Sequence, residues 1–209
     1  LNVYDFPSIF TEEHVPRTWE YIFERQHELT KKYIIIEEQN NLRWTIEIPV
    51  DLDTGRGQAQ LKDMAWRIIE EVGESLEAYL NLSDDPIHAK EELADGLHFL
   101  VELLILSGLT YKDVEGIRPQ IIIGDLEPNI DECVSNVVLK LGTAMNCLKL
   151  KPWKQTHVKI DKEKYHKKLI ETFEVYVVLM LKVIRHKVDI LNLYFSKSSV
   201  NEFRIESKY

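Results

Sequence analysis

Apolar positions recur along this chain at helical intervals over most of its length, and the breaks between periodic stretches divide it into about five main helices. Pro16 opens a first segment that runs to about Glu38, with Trp19, Ile22, Phe23, Gln26, Leu29 and Tyr33 falling on one side. Trp44, Ile46 and Ile48 alternate before Pro49 and the polar run Asp51 to Gly57, which predicts an extended piece followed by a loop. From Leu61 to Leu82, residues Leu61, Ala65, Ile68, Ile69, Val72, Leu76, Tyr79 and Leu80 lie in one stripe, with Glu71 and Glu74 on its far flank. After Asp84-Asp85-Pro86 a third helix is predicted from about Ile87 to Ser107, ended by Gly108. Leu93, Leu97, Leu100 and Leu104 form one of its faces; Glu91, Glu92, Asp95, His98 and Glu102 form the other. Gly116 to Asn129, punctuated by Pro119, Gly124 and Pro128, predicts a loop. Val134 to Leu150 predicts a fourth helix, and Asp161 to about Phe195 a long fifth. Strand signals are few and internal repeats absent, so the expected class is an all-α helical bundle.

The two acidic pairs Glu71-x-x-Glu74 and Glu92-x-x-Asp95 change this picture from packing to chemistry. The i,i+3 spacing puts both carboxylates of a pair on one helical face. If the short connection makes the two helices antiparallel neighbours, four carboxylates converge between them and form a hard-cation site suited to Mg²⁺. Between Ile68 and Tyr111 ten acids stand against one base, Lys90. Solvated helices usually interleave opposite charges four residues apart, and here the repulsion is uncompensated locally. Divalent cations or positive groups from elsewhere in the chain are the natural neutralisers. By spacing alone, the pairs also fit a solvated amphipathic face.

Composition narrows the partners. A chain of 209 residues with 44% hydrophobic content is expected to form a single domain, residues 1-209. Its formal charge of -9 argues against a nucleic acid polymer as the main partner, since such binding is carried by Lys and Arg. A small anion held through metal remains compatible with that charge. Cys133 and Cys147, the only cysteines, have no ligand-pair spacing and suit a reducing compartment. No apolar run is long enough to span a membrane, and the beginning of the chain lacks signal-peptide character, so a cytoplasmic protein is expected. Eight lysines between Lys149 and Lys168, against only Asp161 and Glu163, form either solvated surface or a patch that steers a triphosphate.

Towards the end, Lys197, Asn201 and Arg204 are spaced four and three apart and can present an ammonium, an amide and a guanidinium together, a trio suited to phosphate oxygens. Four elements occur in order: Gln26 to Thr30 (QHELT), Glu71 to Glu74 (EVGE), Glu92 to Phe99 (ELADGLHF), and Tyr194 to Tyr209, which carries Y-x-x-K-x-x-x-N-x-x-R-x-x-x-x-Y. Together they resemble the dimeric dUTPase and dCTPase branch of the all-α nucleoside triphosphate pyrophosphatases, relatives of the MazG-like enzymes.

The resemblance implies Mg²⁺-dependent hydrolysis of a deoxynucleoside triphosphate, dUTP or dCTP, to the monophosphate and pyrophosphate, by a homodimer in the cytoplasm, a host cytoplasm if the gene is viral. It implies that Glu71, Glu74, Glu92 and Asp95 hold the metal, with Glu71 or Glu74 activating water. Lys197, Asn201, Arg204 and Tyr209 would bind phosphates, and Gln26, Thr30, His98 and Phe99 the nucleoside. The chain departs from the family pattern in three places. Thr30 stands where an Asn is usual, Leu80 to Asp85 (LNLSDD) lacks the usual aromatic-rich FKxW-like stretch, and Ser207-Lys208 replaces Asn-Gly. Base preference among U, C and T is therefore open.

Three other functions fit parts of the sequence: a MazG-like pyrophosphatase of broader nucleotide specificity, a non-catalytic helical protein that docks its acidic stripe on a basic partner, and a di-iron bundle using Glu24-x-x-His27 and Glu163-x-x-His166. No GxxxxGK[ST] or GxSxG motif is present, which disfavours a P-loop NTPase and a nucleophile-elbow hydrolase.

Overall fold

The computed structural model describes residues 18–80, 86–117, 129–149, 151, 159–185 and 187–207. Seven helices occur among them: α1 (Trp19–Gln39), α2 (Gly55–Leu80), α3 (Pro86–Leu106), α4 (Tyr111–Val114), α5 (Ile130–Cys147), α6 (Lys162–Ile184) and α7 (Lys187–Ser207). No strand occurs among the described residues. The predicted Pro16 start of the first helix lies outside them. So do the Leu80 to Asp85 departure, beyond Leu80 itself, and residues 118–128 of the predicted Gly116 to Asn129 loop.

Capping side chains explain where several helices begin. Thr18 Oγ1 accepts from the Tyr21 amide, Asp161 caps α6 through the Lys164 amide, and Asn129 with Glu132 forms a reciprocal capping box for α5. That box starts α5 at Ile130, four residues before the apolar periodicity does.

α2 begins six residues earlier than predicted, for a related reason. Thr54 takes the Gly57 amide on its hydroxyl and the Gln58 amide on its carbonyl. In place of apolar side chains, the first turns bury Gln58 and Gln60. The Gln58 amide donates to the Leu52 carbonyl, and the Gln60 carbonyl accepts the Trp44 backbone N–H. The segment before α2 is thereby tied down, and Val50 adds a backbone hydrogen bond to the Leu106 carbonyl at the end of α3.

The predicted long fifth helix is two helices. α6 ends at Arg185, whose φ of 76° lies in the left-handed region, and α7 leaves from there. No Gly or Pro occurs near the junction to signal it. The expectation of about five main helices is corrected to seven by this break and by the four-residue α4.

Cross-contacts fix the directions. Ser75 bonds the Ala89 carbonyl, and Glu71 lies opposite Gly96, so α2 and α3 are antiparallel. α6 is antiparallel to α3, with Tyr165 on Ser107 at one end and Tyr176 on Leu93 at the other. α7 runs antiparallel to α3 and parallel to α1, strapped by Arg25 and Lys32 to Glu202. Leu61, Ile68, Leu97, Leu100, Phe173 and Tyr176 are among the buried residues of the shared core. Cys133 and Cys147 are both buried, with no disulfide between them. No helix among the described residues is long and apolar enough to cross a membrane.

Candidate functional site

The antiparallel pairing of α2 and α3 brings the two acidic pairs face to face. One oxygen each from Glu71, Glu74 and Glu92 lies within 4.8 Å of the others, the one group of His, Cys, Asp or Glu side chains among the described residues that could share an ion. Oxygens at about 2.1 Å from one octahedral Mg²⁺ stand roughly 3 to 4 Å apart, so only a small contraction separates this arrangement from a coordination shell. Among the described residues no Lys or Arg pairs with these three; the basic group beside Glu92 is His88, Nδ1 to Oε1 at 3.0 Å. Burial, a hydrogen bond with Glu92 and the charges of Asp95, Glu92 and Glu74 push the Glu71 carboxyl well above its ordinary pKa. Burial is the larger part of that shift and crowding by like charges the rest: without a cation, the group favours its protonated form.

The fourth predicted ligand is differently engaged. Asp95 is paired with Lys197 Nζ of α7 at 2.6 Å, and the lysine side chain is nearly buried. Part of the acidic stripe is thus neutralised from elsewhere in the chain. Glu102, one face-turn on from His98, is treated likewise by Arg43, 3.7 Å away.

Beside Asp95, towards the C-terminal end of α3, lies a second set of predicted residues. His98 is buried and stacks on Tyr194, with ring centroids 4.0 Å apart and planes within 9°. Its Nδ1 is 2.8 Å from the Ala94 carbonyl, which can only accept, so the proton is on Nδ1 and Nε2 carries a lone pair. Burial pushes the His98 pKa down to about 4. The Tyr194 hydroxyl donates to Gln26 Oε1 at 2.8 Å, while Gln26 Nε2 lies 3.4 Å from Glu102. One turn further along α1, Thr30 is fully buried. Among the described residues, Thr30 Oγ1 and His98 Nε2 are both buried without a hydrogen-bond partner. Folded proteins pair nearly all such atoms, and exceptions concentrate where a ligand or water completes the set.

Lys197, Asn201 and Arg204 share one side of α7: Lys197 nearly buried, Asn201 half-buried and Arg204 exposed. Tyr209 lies outside the described residues. Phe99 is half-buried and is capped by the Arg67 guanidinium, 5.8 Å from the ring centroid. The part of the lysine-rich stretch at the start of α6 is remote from the acids. Tyr165 and His166 bond Ser107, which puts the start of α6 about 18 Å along α3 from Asp95 at 1.5 Å per residue. At that end Lys162 pairs with Asp53, and Lys168 with Glu171. His166 is used on the Ser107 carbonyl, so the ExxH pair it belongs to is not assembled with the acids.

Tyr33 and Arg43 were not singled out by sequence. Tyr33 is raised by burial and by Glu102, lowered by Arg204 and raised by Asp95, which places its phenol among all three. Its register was legible, one turn beyond Thr30 on the stripe that carries Gln26. Arg43 had no such signal, because it sits in a non-helical segment and reaches Glu37 and Glu102 only through the fold.

A family model described as dUTPase matches residues 18–209, which includes both acidic helices, the His98 and Tyr194 pair and all of α7. The chain belongs to the dUTPase family. It is therefore a nucleoside triphosphate pyrophosphohydrolase, and the all-helical bundle agrees with the all-α branch of these enzymes. No curated protein and no solved structure matches the chain.

The burial of neutral His98 makes a pH-dependent prediction for this dUTPase-family protein. An unfolded histidine takes up a proton near pH 6.5, the folded one only near pH 4, so stability is lost as pH falls through that interval. NMR of the imidazole is expected to show His98 neutral at pH 5.5, with the Nδ1–H tautomer. A midpoint near 6.5 would contradict its placement.

Proposed function

We propose that the protein hydrolyses dUTP to dUMP and pyrophosphate with Mg²⁺ held by Glu71, Glu74, Glu92 and Asp95. The observation that carries this is the convergence, between α2 and α3 of a dUTPase-family chain, of three carboxylates with no Lys or Arg partner among the described residues. Mg²⁺ bound there supplies Lewis acidity to the α-phosphate and lowers the pKa of water. Glu71 or Glu74 takes the proton from the attacking water. As the bond between the α-phosphorus and the bridging oxygen breaks, Lys197, Asn201, Arg204 and Tyr209 hold the departing pyrophosphate. Lys197 exchanges its Asp95 partner for a phosphate oxygen, which frees Asp95 for the ion.

Gln26, Thr30, His98 and Phe99 shape the nucleoside pocket. Uracil presents an N3–H between two carbonyl oxygens, a pattern that an unprotonated His98 Nε2 and a free Thr30 hydroxyl can satisfy between them. Cytosine offers an acceptor at N3, so dUTP is the favoured substrate over dCTP. The protein acts as a cytoplasmic homodimer and a single domain, for which exposed Leu42, Trp44, Ile46 and Trp66 supply the apolar surface a dimer contact buries.

The test is pyrophosphate release from dUTP, dCTP, dTTP and UTP, with Mg²⁺ and with EDTA. Turnover of dUTP that EDTA abolishes is expected, with sedimentation at twice the chain mass of 24.6 kDa. Equal, metal-independent inertness across the panel would favour an acidic docking protein instead.

A further inference from the structure

Beneath the acidic cluster lies a residue that the nucleotide chemistry does not use. Tyr176 of α6 is fully buried, and its hydroxyl donates to the Leu93 carbonyl at 2.8 Å, in the helical turn that carries Glu92 and Asp95. The phenol reaches that carbonyl through a notch in α3. A Cβ on Gly96 would stand 2.2 Å from the Tyr176 hydroxyl, 3.2 Å from its Cζ and 3.2 Å from the Cβ of Glu71. Glycine within a helix is unfavourable relative to alanine, so its presence here calls for a close approach that no side chain allows. Two approaches meet at this one position: the phenol from α6 and the stem of Glu71 from α2.

We infer that Tyr176 is a positioning residue for the metal ligands: lodged in the Gly96 notch and anchored on Leu93, it sets the interval between α2 and α3 at which Glu71 meets Glu92 and Asp95. This rests on the metal-binding function proposed above. The physical reason is stiffness. A fully buried ring in a close-packed interior cannot retreat by the ångström or so that an added methyl demands, so α3 would move instead. Ligand constellations tolerate displacements of only about 0.5 Å, and groups that orient ligands change metal affinity by about 10- to 100-fold when altered.

Binding of Mn²⁺, followed by the electron paramagnetic resonance signal of the free ion, tests this without recourse to activity. Gly96→Ala is expected to weaken Mn²⁺ binding by about tenfold or more, and Tyr176→Phe by a smaller factor. The double variant should recover part of the loss, because the hydroxyl that the new methyl strikes at 2.2 Å has gone and only the two contacts at 3.2 Å remain. A merely structural role would lower the melting temperature and leave the affinity of the folded fraction unchanged. Wild-type affinity in folded Gly96→Ala, or a double variant no better than the single, would overturn the proposal. Should Gly96→Ala not fold, Tyr176→Phe decides alone, and unchanged Mn²⁺ affinity in it is the adverse result. If the wild-type protein itself binds no Mn²⁺, the metal site fails, and this role for Tyr176 with it.

Discussion

Glu71→Gln is expected to lower kcat for dUTP by on the order of 10³-fold, about 4 kcal/mol of barrier, while the metal-free protein melts no lower than the wild type. The two halves of this result have one cause. Glu71 sits half-buried against Glu92, Glu74 and Asp95, where its charge is unfavourable until a cation arrives. Glutamine keeps the shape and removes the charge. It therefore relieves the cluster when no ion is bound, and deprives it of a ligand or base when one is. Most buried substitutions behave otherwise, losing stability and activity together. The measurements are steady-state turnover at saturating Mg²⁺ and thermal melting with and without it. The Mg²⁺-induced rise in melting temperature should shrink in the variant, since stabilisation by a ligand scales with its affinity for the folded state. Near-normal turnover with saturating Mg²⁺ would remove Glu71 from the site.

The largest effect on folding is expected at Arg43. Its side chain is only 1% exposed; Nη1 lies 2.6 Å from Glu37 and 3.7 Å from Glu102, and Nε donates to the Thr45 carbonyl. Arg67 shares Glu37 from α2, at 3.0 Å. One guanidinium thus ties the segment before α2 to α1 and α3. Arg43→Met keeps the apolar stem, leaves Glu37 to Arg67 alone and takes from buried Glu102 its ion-pair partner, and breaking such a buried pair from one side costs about 3 to 5 kcal/mol. For a chain of this size that lowers the melting temperature by roughly 10 °C. Burial already pushes Glu102 up to about 7 with Arg43 pulling it back, so loss of the arginine should drive it higher. Adding Glu102→Gln to Arg43→Met should restore part of the loss, because the orphaned charge is then gone. A loss below about 1 kcal/mol, typical of exposed ion pairs, would show that the network is not desolvated.

The helical periods were legible because amphipathic stripes leave a direct trace in residue order, and the i,i+3 acids were legible for the same reason. α3 matches its predicted span to within about a residue at each end, since Leu93, Leu97, Leu100 and Leu104 repeat without interruption. The misjudged boundaries are those drawn by polar side chains. Gln58 and Gln60 extend α2 by bonding to a neighbouring loop, and Asn129 starts α5 ahead of its apolar pattern. The Arg185 break was invisible because its backbone angle is imposed on a residue type that rarely adopts it.

Residue order alone determined the class of fold, the identity of the acidic helices and the family, because those depend on pattern within a segment and on motifs taken in sequence. Only the tertiary structure decided which charges are compensated. Among the described residues Asp95 is met by Lys197 and Glu102 by Arg43, whereas Glu71, Glu74 and Glu92 have no Lys or Arg partner. Such pairings join side chains distant in sequence, and their strength depends on separation and burial, quantities that exist only once the helices have packed.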